Sequence, residues 1–172
     1  MYSVKNSALN FTKLSFRLRP MDSTDRDQVL RLRVEPAQAP FVEPIEETLA
    51  CVNTLRENHV MLIDDKVIGF FQIDLENEQR FEVASAKELE LHEVIIDSSH
   101  QGRGYGAAFL EQLPAYIGSE YPGWKSIVLT VNCLNERAHA LYKRGGFSDT
   151  GEIYPHGRSG PQYVMRYFLA DT

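Results

Sequence analysis

The stretch ELELHE, residues 88 to 93, places three carboxylates and an imidazole within six positions. In a regular strand alternate side chains share a face, so Glu88, Glu90 and His92 would stand together and Glu93 would turn the other way. Carboxylates and imidazoles at such spacing can accept or relay a proton. A charged strand edge uses the same residue types, so this stretch by itself decides nothing.

A second feature follows at once. QGRGYG, residues 101 to 106, lies between a strand-like run, LELHEVIID, and a helix-like run, AAFLEQL. Entry into a helix leaves backbone N–H groups unpaired and partly positive, and glycines let those donors approach an anionic phosphate. A tight turn that only relieves steric conflict would need glycine equally. The lysine of a GxxxxGK phosphate loop is absent, which removes that nucleotide-hydrolase reading. Gly102, Gly104 and Gly106 alternate and come late in the chain, unlike the G-x-G-x-x-G of a dinucleotide fold's first unit. A third group, in NERAHALYKRGGF, puts Asn135 and Tyr142 seven positions apart, on one helix face with the small Ala138 between them. A ligand groove fits that face. Asn also favours a helix N-cap, and Tyr a half-buried position with its hydroxyl satisfied.

The elements that must position these groups alternate between strand and helix. SFRLRP reads as a strand, and MDSTDRDQVLRLRV as a capped helix with Val29, Leu32 and Arg33 at helical spacing. VEPAQAPFVEP is an irregular connector because its three prolines remove donors and disfavour helix before each ring. IEETLACVNTLREN reads as a second helix, with Ile45, Leu49, Val52 and Leu55 about a turn apart. HVMLID and VIGFFQID form a hairpin around a DDK turn, NEQRFEVASAKE is a polar loop or frayed edge, and LELHEVIID resumes the strand pattern. A helix near 105 to 117, a break at YPG, the strand SIVLTV, a helix near 135 to 144 ending at GGF, and strands near GEIY and QYVMRYFL complete the chain. This order predicts an α/β or α+β domain spanning residues 1–172.

Composition narrows the function classes. The net charge of −6 and sequence pI near 5.4 provide no basic stripe for a nucleic-acid backbone. No apolar run approaches the roughly 20 residues of a membrane span, and no signal core opens the chain, so the expectation is a cytoplasmic protein. Cys51 and Cys133 form no CxxC pair, and His59, His100, His139 and His156 lack zinc-like spacing, so no metal is expected. Cys133 reads as a small packing residue, because no local Cys-His signature would activate it.

Gln101, Gly104 and Gly106 resemble the Q/R-x-x-G-x-G/A signature of the GNAT N-acetyltransferases, set between a strand and a helix as in that family. SIVLTVNCLNERAHALYKRGGF resembles the family's strand, Asn, Ala, Leu-Tyr and Gly-Phe segment, with Asn135, Ala138, Tyr142 and Phe147 in the matching places. The motifs cover about residues 87 to 147, and element order extends the likeness to the rest. The resemblance implies a mixed, mostly antiparallel sheet of about six to seven strands flanked by about four helices. It implies acetyl-CoA as acetyl donor, its pyrophosphate cradled by the backbone of Gln101, Gly102, Arg103, Gly104, Tyr105, Gly106 and Ala107, with Arg103 adding charge. Asn135, Ala138 and Tyr142 would line the same groove, and backbone N–H groups around Ile95 and Ile96 would polarise the thioester carbonyl.

Family members transfer acetyl by direct attack of a neutral amine within a ternary complex, and Tyr142 would protonate the leaving thiolate. An alkyl ammonium titrates near about 10.4, so a base must first remove its proton. Glu90, eleven residues before Gln101, matches a site used in some histone-acetylating members and is assigned that role, with His92, Glu93 or a water relay as further candidates. Gln38, Phe41 and Val42 loosely resemble the Q-x-x-F-V stretch of bacterial polyamine-type acetyltransferases. Glu43, Glu46 and Glu47, with six glutamates between 76 and 93, would attract a cationic amine, or serve only solubility. The expected acceptor is therefore a primary amine on a small, polyamine-like or peptide molecule, and the family's habits admit a homodimer. Two other classes compete with this one. An acyl-CoA sensor would keep the glycine turn and Asn135 without turnover, and an interaction module would bind neither acetyl-CoA nor CoA.

Overall fold

The computed structural model describes residues 15–51, 55–75 and 87–170. Among these residues seven strands form one sheet: β1 Phe16–Pro20, β2 Arg56–Ile63, β3 Lys66–Asp74, β4 Glu88–Ile96, β5 Ser126–Asn132, β6 Ser148–Tyr154 and β7 Gln162–Phe168. Their order is β1-β2-β3-β4-β5-β7-β6, and every pairing is antiparallel except β4 with β5. Four α-helices accompany them among the described residues: α1 Arg26–Val29, α2 Ile45–Ala50, α3 Tyr105–Glu120 and α4 Glu136–Arg144. The mixed α/β architecture expected from the element order is the one observed.

Strand alternation divides the apolar residues between two layers. On one face Met61, Phe71, Ile73, Leu89, Leu91, Ile127 and Leu129 pack against Phe109, Leu110, Leu113 and Ile117 of α3. On the other, Val60, Leu62, Phe70 and Ile95 meet Val29, Leu32 and Ile45 from the α1 and α2 region. The β2–β3 hairpin turns on Asp64 and Asp65, whose φ of 46° and 69° are both left-handed, a conformation Asp tolerates better than most residues.

Two elements differ from the sequence expectation. The helix expected across residues 45–58 ends at Ala50, and β2 already begins at Arg56; Val52 lies outside the described residues. The polar start of β2 is stable as strand because its side chains find partners across the ladder. Arg56 donates to Asp74 Oδ2 at 2.8 and 3.0 Å, and Asn58 Oδ1 accepts from Gln72 at 2.8 Å. The first helix is also shorter than its pattern. A 3-10 turn, Ser23–Asp25, capped by the Asp22 side chain, leads into four helical residues, and Arg33 lies beyond them. The acidic segment 76–86 lies outside the described residues.

Candidate active site

The parallel ladder between β4 and β5 is three residues long: Glu88 against Ser126, Leu89 against Ile127 and Glu90 against Val128. Its closed end is pinned. Ser126 Oγ donates to Glu88 Oε2 at 2.7 Å, and Arg166 of β7 donates to Glu88 Oε1 at 2.9 Å. Past Glu90 the strands part, and just there β4 is bulged. Phe70 stands opposite Ile95 and Gln72 opposite His92, so the single residue Phe71 faces both Glu93 and Val94. Glu93 takes φ of 45°, in the left-handed region that a long side chain seldom occupies. An extra residue bends its strand and re-aims the side chains beside it.

The opening forms a cavity of about 420 Å³. One wall is Leu91–Val94 of β4, the facing wall is Thr130–Asn132 of β5, and Asn135, Ala138 and Tyr142 approach from α4. Residues 40–43 and the β6–β7 turn, through His156, Gly157, Arg158 and Ser159, enclose the remaining side. The bulge thus brings Glu93, which regular alternation would have turned from His92, into the same cavity as His92.

Tyr142 and Glu93 both line this space and interact electrostatically. Burial raises the Tyr142 hydroxyl above its usual pKa, and the nearby Glu93 charge raises it further. The Tyr142 ring is held edge-on to Phe147, with centroids 5.8 Å apart. Burial also raises the Glu93 carboxyl, the Glu43 charge adds to the rise, and a bond from the Glu43 N–H to Glu93 Oε2 at 3.1 Å partly opposes it. Glu90 is 2% exposed and does not line the cavity; its Oε1 lies 3.0 Å from His92 Nε2, so it reaches the cavity through His92.

The glycine turn stands outside this cavity, at the entry to α3. Gly102 and Gly104 have φ of 70° and 86°, and a Cβ at either would meet nothing within 4 Å, so the outer face of the turn is open. Gly104 is the N-cap of α3 and offers no side chain to its first N–H groups. An uncapped first turn behind an open glycine face suits a pyrophosphate. Gly106 serves packing instead. A Cβ there would come 3.0 Å from Leu141, so its absence lets α3 approach α4. Gln101 donates to Gln38 Oε1 and to the Ile96 carbonyl, each at 2.8 Å, while its own Oε1 is buried without a partner. Arg103 and Ala107 are exposed, and Tyr105 stacks on Phe16 at 5.9 Å.

Asn135 both caps α4, accepting from the Ala138 N–H at 3.2 Å, and lines the cavity beside Ala138 and Tyr142. Ile95 and Ile96 follow the bulge, and neither side chain lines the cavity. The sequence reading missed Arg158, Ser159, Thr130 and Asn132. The β6–β7 turn carries only ordinary turn residues, GRSGP, and no signal in them points to a site. Among the described residues no group of three or more His, Cys, Asp or Glu could hold a metal ion. Nor is any helix among them long and apolar enough to cross a membrane.

A mixed, mostly antiparallel sheet, with a glycine turn leading from β4 into a helix, is the fold that the sequence resemblance implies. Residues 26–147 match the model of the acetyltransferase (GNAT) family, and the chain belongs to that family. It is accordingly an acyltransferase with acetyl-CoA as its donor. The uncharacterized N-acetyltransferase YbbJ of Bacillus subtilis is 33% identical over 111 residues, 64% of this chain and 69% of YbbJ. Among solved structures, spermidine N-acetyltransferase from Vibrio cholerae with CoA and spermine superposes with a TM-score of 0.69 at 20% identity, covering 90% of this chain and 95% of that one. Aminoglycoside acetyltransferase AAC(6')-Ib with CoA and kanamycin gives 0.71 at 17% identity, with 90% and 95% covered. At these identities the structural likeness is one of fold.

Proposed function

We propose that the protein transfers acetyl from acetyl-CoA to the primary amine of a small cationic acceptor, with Glu93 as general base and Tyr142 as general acid. The observation that carries this reading is the β4 bulge, which turns Glu93 into the cavity that Tyr142 lines. Bound acetyl-CoA supplies the thioester that the amine attacks. The residues 101–107 hold its pyrophosphate through backbone N–H groups, and the β4 backbone near Ile95 and Ile96 polarises the carbonyl. Glu93 takes the ammonium proton; its raised pKa brings it closer to the working pH and makes it a stronger base than an exposed carboxylate. Tyr142, kept protonated by burial and by Glu93, has a proton to give to the thiolate. Glu90 acts through His92, orienting the ring that borders the acceptor.

The cationic acceptor is supported by charge. Glu43 and Glu93 both line the cavity; Glu43 is paired with Arg158, which leaves Glu93 as the carboxylate facing a cationic amine. Two fold neighbours carry amines in their structures, spermine and kanamycin. The test is CoA release by wild type, Glu93→Gln and Glu90→Gln across pH. Glu93→Gln should lose about a hundredfold or more in kcat/KM together with the acidic limb of the profile. Glu90→Gln should keep that limb at reduced rate. If the limb survives in Glu93→Gln and vanishes in Glu90→Gln, the base is Glu90.

A further inference from the structure

The rim of the cavity is crossed by contacts between two segments distant in sequence. Arg158, in the β6–β7 turn, forms an ion pair with Glu43, and beside it Ser159 Oγ donates to the Pro40 carbonyl. The two charged side chains are 56% and 39% exposed, which places the bridge at the mouth and not on the floor. The turn itself is firmly seated. Asn132 Nδ2 donates to the Ser159 carbonyl at 2.9 Å, and the Cys133 N–H to the Pro161 carbonyl at 3.0 Å. A Cβ on Gly157 would collide with the Gly160 carbonyl and, at 2.7 Å, with Gln162, so the turn folds closely on itself there. On its inner side the bridge reaches the candidate base, because the Glu43 N–H donates to Glu93 Oε2.

We propose that Arg158 and Glu43 form a selectivity strap: closed across the mouth, it admits slender primary amines that thread past it towards Glu93 and excludes branched or ring-bearing ones. The proposal rests on reading this cavity as the acceptor site. An exposed ion pair contributes little to folding, so the strap can be opened by substitution without unfolding the protein.

The experiment compares kcat/KM for a straight-chain diamine and for kanamycin in wild type, Arg158→Gln and Arg158→Lys. Wild type should favour the diamine. Arg158→Gln should move the ratio towards kanamycin by roughly tenfold or more, the scale at which pocket contacts separate substrates. Arg158→Lys, which keeps a cation opposite Glu43, should hold the wild-type ratio. A wild type that prefers kanamycin, or an Arg158→Gln ratio equal to wild type, overturns the strap. Failure of the acceptor-site reading shows elsewhere: Glu93→Gln would then retain full turnover on the diamine.

Discussion

In the proposed chemistry Tyr142 donates a proton and Glu93 accepts one, so their removal should leave different traces. Tyr142→Phe keeps the ring against Phe147 and loses only the hydroxyl; turnover should fall by about a hundredfold or more while acetyl-CoA affinity changes little. Unchanged turnover, followed by CoA release, would remove Tyr142 from the chemistry. For Glu93 the sign of the pH effect is fixed by burial. A raised pKa keeps the carboxyl protonated to higher pH, so the active, ionised form is lost as pH falls, starting above the usual carboxylate range. The acidic limb of kcat/KM should therefore lie above the ordinary Glu value of about 4.3. Tyr142 and Asn135 were legible in the sequence because seven residues of helix return to one face. Glu93 stood only behind Glu90 as a candidate base, since alternation along a regular strand turns it away from His92, and a bulge centred on a left-handed glutamate has no sequence mark. The preference for Glu90 rested on its place eleven residues before Gln101, which matches a site used in some histone-acetylating members.

In the proposed reading, binding of the donor belongs to the elements. At Gly104 the backbone is left-handed and the surroundings are open, so Gly104→Ala costs about 1 kcal/mol of backbone strain and puts a methyl group on the face a phosphate would approach. Acetyl-CoA affinity should weaken by about tenfold, equivalent to 1.4 kcal/mol, by calorimetric titration, with helix content preserved. An unaltered affinity would mean that the turn is only a turn. Gly106→Val should act otherwise, through Leu141, by pushing α3 from α4. The glycine turn and the helices after it were readable because their requirements are local. The end of α2 at Ala50 was not, because what makes RENH a strand is Asp74 and Gln72 on the next strand. The same holds for the β6–β7 turn, whose place beside residues 40–43 is a product of the completed sheet.

At the scale of the molecule, a buried histidine ties the sheet to the end of α3. Tyr121 donates to Glu57 at 2.6 Å, which leaves its oxygen to accept from His59 Nε2–H at 2.9 Å, while His59 Nδ1 accepts from Tyr116 at 2.7 Å. Burial lowers the His59 pKa from 6.5 to about 4. Above pH 6.5 its contribution to stability is complete; as pH falls from there towards 4 the unfolded chain takes up a proton that the folded one refuses, and stability declines by roughly 3 kcal/mol. Urea unfolding between pH 7 and 5 should show this slope in wild type and lose most of it in His59→Gln. Equal slopes would contradict the role given to His59. The sheet, its helices and their order were expected from the alternation of patterns, whereas this network joins residues 57 to 121 and only the assembled fold reveals it. The proposed chemistry as a whole turns on the cavity where β4 and β5 part. Its most direct test is CoA release from acetyl-CoA with and without spermidine, in wild type and Glu93→Gln. Release should depend on the amine in wild type and be reduced about a hundredfold or more in Glu93→Gln; release indifferent to the amine, or undiminished in the variant, would contradict the proposed chemistry.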